Sequence, residues 1–219
     1  AGRAELAKQA DEAAKAGNAD EMCRCVKQII LQGQPLSPEE RGLFHVAYKQ
    51  ATALRRGNLR KDPNDPALKT AVTDICGEVL DLLDKYLIPV NTDPESHIFL
   101  LKMKGDYHRY YAEVSPTQAE KDCAASSYER ARQEASSTLP EANPLRLNVA
   151  LNYGVFEYET LGNKEKGFQV TKQAFDAAHP EMDKLPEEQF KEVAFVMELL
   201  RENILMWAKE LNIDLGGQK

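Results

Sequence analysis

Cations at helical spacing dominate the residues of this chain that could do chemistry. In YKQATALRRGNLR, Lys49, Arg56 and Arg60 stand seven and four residues apart, and on a helix that spacing puts them on one side. In LKMKGDYHRYY, Lys102 and Arg109 are again seven apart, with Tyr110 beside Arg109. Two cationic faces on nonadjacent helices suggest one shared pocket for a doubly charged anion. Arginine forks match phosphate oxygens bidentately, lysine adds a point charge, and a tyrosine hydroxyl adds a neutral donor. The competing explanation is two solvated faces neutralised by nearby acids, and spacing alone leaves both open.

Two further helical stretches combine apolar stripes with a single amide. In LRLNVALNYGVFEYE, Leu151, Val155 and Tyr158 follow apolar helical spacing, while Asn152 and Glu159 lie seven apart on a neighbouring stripe. In FVMELLRENILMW, Val196, Leu199, Asn203 and Trp207 form a stripe. An asparagine amide both donates and accepts, so it could hold an extended peptide backbone. The same side chain could equally bridge groups within a helical core.

Other chemistries find no motif. There is no Walker loop, GxSxG, HExxH or GxGxxG. Glu39-Glu40 and Glu187-Glu188 fall in helix first turns, where the helix dipole accounts for them. An enzyme acting on a phosphorylated substrate would need a base, a nucleophile or a metal-ligand set, and none accompanies the cations. Cys23 and Cys25 are two apart on a helix and point to nearly opposite sides, a spacing unsuited to a zinc knuckle or a redox CxxC pair. With Cys76 and Cys123 they read as free thiols in a reducing compartment, the cytoplasm or also the nucleus. His45, His97, His108 and His179 are scattered and read as surface or packing residues. No catalytic residue, metal or cofactor is expected.

The formal net charge is −7, which argues against non-specific binding to nucleic acid. No apolar run approaches the ~20 residues of a membrane span, and the charged AGRAELAKQADEAAK lacks the apolar core of a signal peptide. Neither nucleic acid nor membrane is an expected partner.

Helices must position these groups, and the chain reads as helix after helix. Ser37, Pro38 and Glu40 make a capping box with proline at the first helical position. The same cap-then-proline logic recurs at Asp65-Pro66, Asp93-Pro94, Ser115-Pro116 and Asn143-Pro144, Pro186 precedes two glutamates, and Gly162-Asn163 marks a turn. These breaks predict nine helices near 3–16, 19–32, 38–60, 66–87, 94–113, 116–137, 144–160, 164–180 and 187–209. No stretch alternates long enough for a strand. Short connections imply antiparallel neighbours. The expectation is an all-α chain folding as a single domain over residues 1–219.

LKMKGDYHRYYAEV, LRLNVALNYGVFEYE and ELLRENILMW resemble the signature segments of the 14-3-3 family. EERGLFHVAYKQATALRR resembles that family's third helix and DICGEVLDLLDKYLIP its fourth, so the similarity runs from about residue 5 to 208. The resemblance implies nine antiparallel helices forming one amphipathic groove for phosphoserine or phosphothreonine peptides, in an adaptor that regulates phosphorylated signalling proteins. Carried over by motif, Lys49, Arg56 and Arg109 would grip the phosphate and Tyr110 would donate its hydroxyl. Asn152 and Asn203 would hold the peptide main chain. Leu151, Val155, Val196 and Leu199 would form the apolar wall, with Lys102 on the floor and Glu159 as a supporting or peptide-contacting acid. Arg60, Asp106 and Glu113 would orient the cations. His108, where the family usually has an aromatic residue, is expected to pack.

The dimer seam departs from the family pattern. Glu12 stands where the pattern has leucine, Asn18 and Ala19 where it has arginine and tyrosine, and the stretch from Arg60 to Cys76 is much shorter. A homo- or heterodimer is therefore expected to be weakened or atypical. WAKELNIDLGGQK also lacks the acidic tail common in the family. The alternative reading is a phosphate-independent helical scaffold that keeps the fold and dimerises weakly.

Overall fold

Local capping chemistry decides where the helices start. The computed structural model describes residues 1–217, and these form nine α-helices and no strand. They are α1 Arg3–Lys15, α2 Ala19–Ile30, α3 Pro38–Lys61, α4 Pro66–Leu82, α5 Pro94–Val114, α6 Gln118–Thr138, α7 Pro144–Val155, α8 Lys164–Ala178 and α9 Glu187–Glu210. Three of them continue in a different winding: α4 and α7 into the π-helical turns Leu83–Leu87 and Phe156–Thr160, α8 into the 3₁₀ turn His179–Lys184.

At α3 the Glu40 N–H donates to Ser37 Oγ at 3.1 Å while the Ser37 N–H donates to the Glu40 carboxylate at 2.8 Å. Asp65, Asp93 and Asn143 accept first-turn N–H groups in the same way, each followed by a proline whose missing N–H would have had no helical partner. One start differs from the sequence reading. Ser115-Pro116 does not open the sixth helix. The Ser115 N–H completes the last turn of α5 by donating to the Tyr111 carbonyl at 2.9 Å. Thr117 Oγ1 instead accepts the Glu120 N–H at 3.3 Å, and α6 begins at Gln118.

The chain forms two compact units, Ala1–Glu120 and the residues from Lys121 onward. In the first, consecutive helices pack on one another. Met22, Val26 and Ile29 on α2, at i, i+4 and i+7, join Phe44 and Tyr48 of α3 and Val79 of α4 in one core. Phe44 and Tyr48 are fully buried, and burial of a Phe side chain contributes about 1.5–3 kcal/mol. Only residues 62–65 connect α3 to α4, so the compressed stretch after Arg60 is a tight turn capped by Asp65.

Smaller cores hold the second unit together. Leu147 and Leu151 of α7 meet Val196, Met197 and Leu200 of α9. Tyr128 of α6 meets Tyr153, Phe156 and Val170. Tyr158 lies flat on Trp207, ring centroids 4.3 Å apart and planes 8° apart, with Phe168 and Ile204 beside them. The approach of α8 to α7 depends on Gly167: a Cβ there would stand 2.8 Å from the Gly154 carbonyl oxygen and from the Tyr158 backbone nitrogen. The chain reaches that crossing through Gly162, whose φ of 72° suits the predicted turn.

Candidate functional site

Two arginines from different helices converge on one phenol ring in the first unit. The Arg56 guanidinium of α3 lies over the Tyr110 ring of α5 at 4.2 Å, and the Arg109 guanidinium lies over the same ring at 4.9 Å. Each contact is a cation–π arrangement that fixes a fork against a flat surface. Two like charges at one ring require counter-charges, and α5 supplies them. Arg56 donates from Nε and Nη2 to the two oxygens of Glu113 at 3.0 and 2.8 Å. Lys102 Nζ donates to Asp106 Oδ2 at 2.9 Å, and Arg109 Nη2 reaches Asp106 Oδ1 at 3.5 Å.

Asp106 and Lys102 are buried, and Lys49 is exposed on α3. His45, one turn before Lys49, senses both lysines. Its pKa is pushed down to about 4, first by burial and then by the positive charges of Lys102 and Lys49, with Asp106 opposing. Lys49, Arg56, Lys102 and Arg109 thus stand against Asp106 and Glu113, a formal excess of two positive charges around Tyr110 and His45. The Tyr110 hydroxyl has its pKa raised, first by burial and next by Asp106, so it stays a protonated donor at neutral pH.

Neighbouring residues take structural parts. Tyr107 is buried and packs edge-on against Tyr110 at 5.3 Å. His108 is buried, as expected of a packing residue, and its Nδ1 also lies 2.6 Å from Glu120 Oε2, tying α5 to the first turn of α6. Arg60 differs from its expected orienting role: it is exposed at the end of α3 and, among the described residues, forms no ion pair with the acids of the cluster. Its spacing from Arg56 is right, but Arg56 already takes both carboxylate oxygens of Glu113.

The second unit carries the other predicted residues on α7 and α9. Leu151 and Val196 are 9% and 4% exposed and share one core, with Leu199 partly buried against it. Val155 packs beside Tyr158 and Trp207. Asn152 and Asn203 are half-buried, and Glu159 is exposed in the π-turn after α7. Two apolar side chains overlooked in the sequence share the Leu199 and Asn203 side of α9. Phe195 is 70% exposed and Met206 46%, and positions 195, 199, 203 and 206 fall on one helical stripe. Val46, exposed one turn before Lys49, is a similar case on α3. Helical periodicity was the available signal for all three. Among the described residues no group of three or more His, Cys, Asp or Glu side chains gathers as a metal site, and no helix is long and apolar enough to cross a membrane. All four cysteines are free thiols.

The family model for 14-3-3 protein matches residues 65–208. The chain is 38% identical over 229 residues to 14-3-3 protein beta/alpha-A of Xenopus laevis, covering 95% of this chain and 94% of that protein. It is likewise 38% identical over 235 residues to 14-3-3 protein beta/alpha of Homo sapiens and of Gallus gallus, covering 98% of this chain and 96% of each. Similarity at this level over almost the full length of both partners, on nine helices in the expected order, establishes that the chain belongs to the 14-3-3 family of phosphopeptide-binding adaptors in signalling.

Proposed function

We propose that this chain binds phosphoserine and phosphothreonine segments of its partners through Lys49, Arg56, Arg109 and Tyr110, and acts as an adaptor without catalysing a reaction. The observation that carries this reading is the convergence of Arg56 and Arg109 on Tyr110 with a formal excess of two positive charges. A phosphoryl group brings roughly −1.5 to −2 charge and three acceptor oxygens, which matches that excess. The forks are already held by Glu113, Asp106 and the ring, so little side-chain freedom is lost on binding. An unphosphorylated serine offers no charge and a single hydroxyl oxygen in place of the three.

By the family's motifs, Asn152 and Asn203 of the second unit hold a peptide main chain. Leu151, Val155, Val196 and Leu199 form the apolar wall, Lys102 lies on the groove floor, and Glu159 is a supporting or peptide-contacting acid. Their residue types and the family's motifs support these roles. In our reading residues 1–219 act as one domain, in the cytoplasm or also the nucleus.

Dimerisation is weak or atypical. Glu12 is exposed on α1, Asn18 is engaged as the cap of α2 through the Glu21 N–H at 3.1 Å, and the α3–α4 link is only a turn. The phosphate-independent scaffold is disfavoured because its cations need not converge.

Fluorescence anisotropy of one arginine-rich serine peptide, phosphorylated and not, tests the reading. A charge-assisted hydrogen bond contributes about 1.5–3 kcal/mol, so several together predict at least about a hundredfold preference for the phosphorylated form. Equal affinity would leave only the scaffold. Sedimentation velocity across concentrations measures the dimer.

A further inference from the structure

The second unit contains a cavity of about 570 Å³ that shares no residue with the phosphate clamp. It opens between α8, α9 and the segment that follows α9. That segment is a built wall. Asn212 takes the left-handed conformation at φ 55°. The Ile213 N–H donates back to the Ala208 carbonyl at 2.8 Å, and the Asn212 N–H to the Lys209 carbonyl at 3.4 Å. These two bonds make a Schellman end that reverses the chain. Asp214 Oδ1 accepts the Gly216 N–H at 2.9 Å, and Leu211 and Leu215 pack against the core around Trp207.

The cavity's surfaces divide by chemistry. Phe175, Ile204, Leu205 and Leu215 supply an apolar floor, and Leu205 is left 45% exposed there. Lys172, Asp176, His179 and Arg201 supply the polar rim. Lys172 already pairs with Asp176 at 2.5 Å, His179 rests against the Phe175 ring at 5.8 Å, and Arg201 gives Glu198 only its Nη1, at 3.3 Å. Among the lining side chains two are cationic and one is anionic. Small-ligand sites occupy about 300–1,000 Å³, with a mostly apolar lining and a few convergent polar groups.

The cleft of about 490 Å³ among α2, α3 and α4 is different. Its lining is more strongly charged, with Arg55 closed on Asp20 at 2.9 Å and Lys27 on Glu78.

We propose that the α8–α9 cavity binds an amphipathic monoanion, an alkyl or aryl carboxylate. Its apolar body lies on Phe175, Ile204, Leu205 and Leu215, and its carboxylate faces Arg201 with Lys172 beside it. A neutral ligand would forgo the part of the Arg201 fork that Glu198 leaves open. The site is independent of the phosphopeptide reading and gives the adaptor a second, small-molecule input.

Trp207 is the only tryptophan in the chain, and it lies in the core that Ile204 and Leu215 join. Its emission therefore reports filling of the cavity. Decanoate, titrated into the full chain below its micelle concentration, is expected to give a saturable one-site change that calorimetry reproduces, and decanol is not. Arg201→Gln, at an exposed position, should weaken decanoate about tenfold. Leu205→Asp should abolish its binding while leaving the circular dichroism melt and phosphopeptide affinity unchanged. An absent or non-saturable response, decanol binding as well as decanoate, or decanoate affinity unaffected by both substitutions would overturn the proposal.

Discussion

Truncation of Arg109 isolates the phosphate contribution from the fold. Its side chain is 13% exposed, lies over Tyr110 at 4.9 Å and reaches Asp106 at 3.5 Å. Asp106 keeps its shorter bond from Lys102 at 2.9 Å when Arg109 is removed, so the buried carboxylate stays paired. Arg109→Ala should therefore leave a cooperative urea transition. On the ligand side the loss is one charge-assisted hydrogen bond, about 1.5–3 kcal/mol, which at 1.4 kcal/mol per decade is roughly ten- to a hundredfold in Kd. Arg56→Ala should fall toward the lower end of that range, because Glu113 already occupies its Nε–Nη2 edge. The assay is anisotropy with a labelled phosphopeptide, accompanied by urea unfolding of each variant. Two results would refute the reasoning: phosphopeptide affinity within twofold of the parent for both variants, or an equal loss for the unphosphorylated peptide. The first would place the anion elsewhere, and the second would mean that the arginines bind peptide and not phosphate.

Gly167→Ala should destabilise the second unit by about 3 kcal/mol, seen as a lower urea midpoint, because the new methyl meets backbone atoms of Gly154 and Tyr158 at 2.8 Å. His45 should make stability pH-dependent. Burial and then Lys102 and Lys49 depress its pKa from 6.5 to about 4, while Asp106 opposes them. The fold therefore prefers the neutral ring, and its contribution is complete above about pH 6.5 and declines as pH falls toward 4. Replacement by His45→Gln should flatten that decline in urea titrations across the window. Thiol labelling near neutral pH should modify Cys123 quickly in the native chain and the other three only after unfolding. Cys23, Cys25 and Cys76 are buried, and desolvation raises their pKa values, to about 12 for Cys23 and Cys76.

Helix identity was legible because it rests on near neighbours. Ser37, Asp65, Asp93 and Asn143 each cap through a first-turn N–H, so four residues suffice to announce a start. Ser115-Pro116 misled because the same serine can end one helix or begin the next, and the hydrogen bond to Tyr111 decides. The long helical stretches at 66–87 and 144–160 concealed their change of winding, since a single π-turn at the end of a helix still reads as helix in the sequence. Periodicity marked Leu151 and Val196 as apolar but could not divide core from surface. In the fold they are buried together, while Phe195 and Met206 on α9 remain exposed.

By itself the sequence determined the helices, the caps at Ser37, Asp65, Asp93 and Asn143 and the stripe on which each cation stands, because hydrogen bonds and side-chain neighbours within a helix span three or four residues. Only the tertiary structure decided how those cations are held. Arg56 meets Glu113 across 57 positions of chain, shares the Tyr110 ring with Arg109, and leaves Arg60 outside the cluster. Such a meeting depends on how α3 packs in the core beside α4 and α5. Coulomb attraction and cation–π contact act through space at a few ångströms, which spacing along one helix does not encode.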